Sequence, residues 1–301
     1  MDPVTRVDLT LPHGITLVCR ARGAADAPRR VLLLHGFPEA AFIWDEVTAR
    51  LGPDVRSLAP NLRGFGESSA PTELSAYRAK HLVADIAALI DMLGAPIDLL
   101  VAHDWGGALA WGLAALQPQK LERLLIINSP HPAAFQRELL HSAAQREASA
   151  YMNELVRPDA AARLAAHDFA GLWATFERFG PAPWLTPELR ARYRTVWSRG
   201  LDGALNYYRA SPLRPPKHAH DDALAKLALP DSVVRVEVPT TVLWGERDHA
   251  LLPGLLDGLE RWVPNLQTVR IPEASHWIVH EQPALVADLI GAQLAAAHRR
   301  P

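Results

Sequence analysis

Leu99–Leu109, LLVAHDWGGAL, is the stretch whose reading decides the fold. The apolar run over residues 97–101 fits a strand buried on both faces of a parallel sheet, and residues 105–116 fit a helix that starts almost at once. Between them, Ala102-His103-Asp104-Trp105-Gly106 has the form of the nucleophile elbow G-x-S-x-G with two substitutions. That elbow turns so sharply that the residues two before and two after the nucleophile must be small. Ala102 and Gly106 meet the demand, and Gly107 lets the helix pack close to the strand. The nucleophile position holds Asp104 in place of Ser or Cys.

An aspartate there narrows the chemistry. A serine needs a base to remove its proton and suits acyl carbon. A carboxylate, with a reference pKa of about 3.9, is already ionised at neutral pH. It displaces a leaving group from sp3 carbon and becomes an alkyl ester on the enzyme. A water activated by histidine can then hydrolyse that ester while an oxyanion hole holds the charge. Suitable substrates are an epoxide, an alkyl halide or a haloacid. The bland alternative is a carboxylate that only caps the helix starting at Trp105.

Outward from the elbow, the chain alternates between strand-like and helical stretches. Residues 4–9 and 15–21 read as a hairpin around Pro12-His13-Gly14, and residues 31–34 as a strand running into HGFPE at His35–Glu39. Residues 42–51 read as a helix, 55–59 as a strand and 77–93 as a helix stopped by Gly94 and Pro96. The Gly-rich loop Pro60–Ser68 lacks the GKS/T ending of a phosphate cradle. A strand at 121–127 ends in Asn128-Ser129-Pro130-His131-Pro132. Residues 133–231 then change character, with helical runs, Pro breaks and clustered Trp and Tyr. Strands resume at 238–244 and 266–271, and residues 278–297 read as one closing helix. The expectation is an α/β architecture with a mostly parallel eight-stranded sheet flanked by helices. Its core comprises residues 1–132 and 232–301, with a helical lid inserted over 133–231.

Two polar residues at later strand ends complete a catalytic set. Asp248 follows its strand in WGERDH, and His276 follows the last strand in EASHW. Nucleophile, acid and histidine thus come in the α/β-hydrolase order. His276 is the candidate base for water, and Asp248 the residue that fixes its tautomer. After the HG of HGFP, the Phe37 N–H is expected to join that of Trp105 in an oxyanion hole. His35 and Gly36 read as architectural and His103 as a packed or hydrogen-bonding neighbour of the nucleophile. The remaining histidines show no metal-ligand spacing.

Composition bounds the rest. With 301 residues, 49% hydrophobic and 21% charged, the chain has ample core for one α/β domain. A net charge of −2 without a basic run argues against nucleic acid. Cys19 stands alone, and the N-terminus lacks the basic and apolar regions of a signal peptide. No run approaches a membrane span. A cytoplasmic location without membrane association is expected.

Together HGFPE, RGFGES, AHDWGGALAW, NSPHP, LWGERD and ASHW resemble the α/β-hydrolase-fold epoxide hydrolases, relatives of the haloalkane dehalogenases. The resemblance covers nearly the whole chain and implies no cofactor, a small apolar epoxide and water as reactants, and two lid tyrosines that protonate the epoxide oxygen. Tyr151, seven residues before Pro158, and Tyr208, the second aromatic of Asn206-Tyr207-Tyr208-Arg209, match those positions. Phe37, Trp105, Trp173 and Phe176 are expected to line the pocket. A haloalkane dehalogenase would use the same triad, with Trp105 and Trp173 as halide donors. Such enzymes often carry Asn where Phe37 stands. Haloacid enzymes place arginines after the nucleophile, where this chain has Trp105 and Ala108, and tend to put their acid where it has Asn128. A hydrolase-fold ligand receptor without turnover is the alternative of another class.

Overall fold

The computed structural model describes residues 3–218 and 220–297. Strands β1 (Thr5–Thr10) and β2 (Thr16–Arg22) form an antiparallel hairpin with Thr10 opposite Thr16. Strand β2 runs antiparallel to β4 (Val55–Pro60), the only other reversed pairing among the described residues. Strands β3 (Arg29–Leu34), β5 (Leu99–His103), β6 (Leu124–Ile127), β7 (Thr240–Gly245) and β8 (Leu266–Ile271) all run parallel to their neighbours, as β3 does to β4. The eight strands lie in the order β1-β2-β4-β3-β5-β6-β7-β8. Central β5 and β6 are buried at every residue, which is why their sequences are continuous apolar runs. Edge strand β1 alternates between exposed and half-buried residues at its far end, as a strand with one wet face does.

Helices α1 (Asp45–Thr48), α2 (Ala79–Leu93), α3 (Trp105–Leu116), α12 (Ile278–Glu281) and α13 (Pro283–Ala297) belong to the segments flanking the sheet. Two readings of the sequence need correction. Residues 42–51 are not one helix: Ala41–Trp44 wind as a 3-10 turn and α1 adds a single short turn. Phe42, Ile43 and Trp44 are buried in succession, which no single face of an α-helix supplies. The closing helix is split at Gln282, whose φ of −133° and ψ of 50° are non-helical. Pro283 excludes the helical conformation for the residue before it and then starts α13.

Between β6 and β7 the described residues form no strand. They form α4 (Pro132–His141), α5 (Ala143–Ala148), α6 (Tyr151–Leu155), α7 (Ala160–Phe179), α8 (Pro187–Trp197), α9 (Asp202–Ala210), α10 (Ala223–Lys226) and α11 (Asp231–Val234). Residues His167, Asp168 and Phe169 have φ of 53°, 56° and 62°, so α7 is two helical pieces joined by a tight bend. The insert is bonded to the sheet side through buried donors. Trp197 Nε1–H donates to Pro38 O at 2.7 Å, Tyr207 Oη–H to Arg63 O at 3.0 Å, and Trp277 Nε1–H to Phe176 O at 2.7 Å. No helix among the described residues is long and apolar enough to cross a membrane.

Candidate active site

The loops at the C-terminal ends of the parallel strands converge on Asp104. Its φ of 50° and ψ of −120° are strained for a non-glycine residue, at a typical cost of about 1–3 kcal/mol. The surroundings leave no alternative path. A Cβ on Gly106 would lie 2.7 Å from His35 O, and one on Gly107 2.3 Å from Ser129 Cβ, so both positions demand glycine. Ser129 Oγ–H donates to Asp104 O at 2.6 Å and pins the turn. The Asp104 side chain makes no N-cap hydrogen bond to the helix. Instead its Oδ1 accepts the Phe37 N–H at 2.7 Å, and the Trp105 N–H also acts on the carboxylate. A Cβ on Gly36 would fall 2.1 Å from that same Oδ1, so the hole exists because residue 36 has no side chain.

Asp248 and His276 come from the ends of β7 and β8. Asp248 Oδ2 lies 2.6 Å from His276 Nδ1 and accepts Asn128 Nδ2–H at 2.8 Å, while Oδ1 accepts the N–H groups of Ala250 (2.8 Å) and Leu251 (2.9 Å). This buried carboxylate has its lone pairs fully engaged. His276 Nε2 faces Asp104 Oδ2 at 3.9 Å, within ion-pair reach but beyond hydrogen-bond length. Burial works against a charged His276, yet the charge and hydrogen bond of Asp248, with Asp104 and Glu39 behind them, outweigh it and raise its pKa to about 9. Burial pushes Asp104 upward, against the pull of His276, His103 and the two backbone N–H groups.

Behind the pair lies a network that sequence reasoning did not assign. Buried Glu39 receives His280 Nε2 at 2.8 Å and Tyr193 Oη–H at 3.1 Å on one oxygen, and His103 Nδ1 at 3.0 Å on the other. The second nitrogen of His103 lies 2.9 Å from His276 O, so it donates there. His103 is therefore a bonded neighbour that links Glu39 to the backbone of His276. Despite full burial, those partners hold Glu39 well below the usual carboxylate range. Asn128 was equally unassigned; its Oδ1 accepts Gly245 N–H at 2.9 Å while its Nδ2 serves Asp248. Asn128 directly follows β6, at a φ of 38° that Asn tolerates better than most residues.

Above Asp104 is a cavity lined by Trp105, Tyr151, Tyr208, Phe135, Met152, Leu213 and Leu251, among others. Tyr151 and Tyr208 sit side by side, ring centroids 6.2 Å apart, and Tyr208 packs edge-on to Trp105 at 5.0 Å. Burial, then the charge of Asp104 and its neighbours, pushes both phenols well above their ordinary pKa, so both stay protonated. Three pocket-lining expectations need correction. The Phe37 ring stands behind Tyr208, edge-on at 5.4 Å, and only its N–H reaches the site. Trp173 directs its indole N–H to Asp168 O at 2.7 Å, and Arg190 and Arg194 both lie over its ring. Phe176 is fully buried among Tyr193 and Trp197 of the insert and Trp277 of the sheet side. Among the described residues no three His, Cys, Asp or Glu side chains could hold a metal ion.

Comparison with known proteins shows the family. Residues 29–283 match the family described as alpha/beta hydrolase fold. The AB hydrolase superfamily protein YfhM of Bacillus subtilis is 34% identical over 282 residues, spanning 92% of this chain and 94% of that protein. Epoxide hydrolase 4 of Mus musculus is 34% identical over 284 residues, 90% of this chain and 74% of its own. A solved epoxide hydrolase from a hot-environment metagenome superposes with a TM-score of 0.85 at 36% identity, covering 98% of this chain and 99% of the other. The chain belongs to the epoxide hydrolases of the α/β-hydrolase fold.

Proposed function

We propose that the chain hydrolyses an apolar epoxide to a vicinal diol through an alkyl ester on Asp104. The observation that carries this reading is the cavity itself, where a carboxylate nucleophile and two protonated phenols share one apolar space. Relatives named epoxide hydrolases support it.

In the first step Asp104 Oδ2 attacks one ring carbon, the C–O bond opens, and a proton from Tyr151 or Tyr208 goes to the departing oxygen. The other carboxylate oxygen stays on the Phe37 and Trp105 N–H groups and becomes the ester carbonyl. The phenolate left behind then recovers a proton from His276, which starts the cycle protonated. Esterification itself favours that transfer, because it removes the Asp104 charge that helped to raise the His276 pKa. Neutral His276 next takes a proton from water as the water attacks the ester carbon. The tetrahedral oxyanion forms in the hole already occupied by the carboxylate. Collapse expels the diol oxygen, which takes the proton from His276, and the new carboxyl proton returns to the imidazole. Atoms and protons balance over the cycle.

The dehalogenase alternative needs N–H donors aimed at a halide near the nucleophile. Trp173, its second candidate donor, spends its N–H on Asp168 O. Product analysis decides between them. Purified protein with styrene oxide should yield diol, lost in Asp104→Ala and in the double variant Tyr151→Phe/Tyr208→Phe. Bromide release from 1-bromobutane that survives loss of both tyrosines, with no diol from the epoxide, would overturn the proposal.

A further inference from the structure

Gln145, on α5 of the insert, is 1% exposed and uses every polar atom it has. Its Nε2–H groups donate to Ala250 O at 2.8 Å and to Ser149 Oγ at 2.9 Å, and its Oε1 accepts the Leu252 N–H at 3.0 Å. Ala250 and Leu252 flank Leu251, and the N–H groups of Ala250 and Leu251 are the ones that hold Asp248 Oδ1. The amide therefore grips, from both sides, the short segment that aims the acid. Its other bond runs toward the phenol. Ser149 O accepts the Met152 N–H at 3.0 Å, at the start of the helix that begins with Tyr151.

We infer that Gln145 is a positioning residue that sets Tyr151 on the insert in register with the Asp248–His276 pair on the sheet. No other side chain of the insert bonds the Asp248 loop and the Tyr151 segment at once among the described residues. The inference rests on the epoxide hydrolase reading, since register between a proton donor and a base matters only if both serve one reaction. A misplacement of the order of 1 Å in such a constellation costs up to about 100-fold in rate.

The test uses Gln145→Met, which fills the space and forms none of the three bonds, and Ser149→Ala, which cuts only the arm toward Tyr151. Stopped-flow kinetics with styrene oxide separates alkylation of Asp104 from hydrolysis of the ester, across pH. NMR follows the downfield His276 Nδ1–H resonance without substrate. Gln145→Met should slow both steps by about 10-fold or more, move the pH profile of hydrolysis to lower pH as Asp248 loosens its hold, and shift or broaden the imidazole resonance. Ser149→Ala should slow alkylation and leave hydrolysis unchanged. A Gln145→Met protein with both rate constants within twofold of wild type, the same pH profile and the same resonance would overturn the inference, whatever its melting temperature. Should the unaltered protein fail to turn over epoxides, the activity reading falls, while the imidazole resonance still reports whether Gln145 holds the acid in place.

Discussion

Replacing Tyr151 and Tyr208 together by Phe removes two hydroxyl groups and almost no volume. Both rings keep their aromatic neighbours: Phe179 at 4.7 Å for Tyr151, and Trp105 at 5.0 Å for Tyr208. The fold should therefore persist, and the loss should fall on chemistry. A preorganised donor aimed at developing oxyanion charge is worth about 2.7–4 kcal/mol, or roughly 10²–10³ in rate. Either single variant leaves one phenol able to protonate the oxygen, so alkylation should slow by about 10². The double variant removes both phenols from a mostly apolar cavity, and the losses should combine to about 10⁴ or more. Trp105 lies against Tyr208 and beside Asp104, so its fluorescence reports alkylation directly in a stopped-flow experiment. A double variant that alkylates within tenfold of wild type would refute the donor roles.

Four further outcomes follow from the site. Alkylation needs Asp104 ionised, and its pKa is raised, so the rate should fall as pH drops through a value above that of an exposed aspartate, read from single-turnover rates across pH. Hydrolysis of the ester needs neutral His276; its rate should rise with pH through a midpoint below the value of about 9 in the free enzyme, because esterification removes the Asp104 charge. Gly36→Ala should abolish both steps in a folded protein, since the added Cβ would sit 2.1 Å from Asp104 Oδ1; circular dichroism alongside diol assays checks this. Asn128→Ala frees Asp248 Oδ2 and Gly245 N–H of a partner and places Ala at a φ of 38°. It should lower stability by about 1–3 kcal/mol in urea unfolding and slow hydrolysis more than alkylation.

The elbow was legible because its constraints are local. Small residues at 102, 106 and 107 and a carboxylate at 104 announce a sharp strand-to-helix turn whatever else surrounds it. Asp248 and His276 were legible from WGERDH and EASHW, each within five residues of a strand end. Trp173 and Phe176 were misplaced because their direction depends on how the insert packs. The bend at 167–169 turns the second piece of α7, so that half-buried Trp173 packs on Trp197 beneath two arginines and Phe176 packs among Tyr193, Trp197 and Trp277. Asn128 and Gln145 were illegible for another reason. Each acts on the Asp248 loop more than 100 residues away in the chain, a relation created by β6–β7 pairing in one case and by seating of α5 in the other. Glu39 sat in plain view within HGFPE, but its partners His103, His280 and Tyr193 come from three distant segments.

The central claim is the covalent ester on Asp104, and His276→Gln tests it most directly. This variant keeps the nucleophile, the oxyanion hole and both phenols while removing the base that releases the product. Incubated with styrene oxide, digested and mapped by mass spectrometry, it should carry one substrate mass on the peptide containing Asp104, with diol formation halted after a single turnover. Continued diol formation without an adduct, or an adduct on any other residue, would contradict the account.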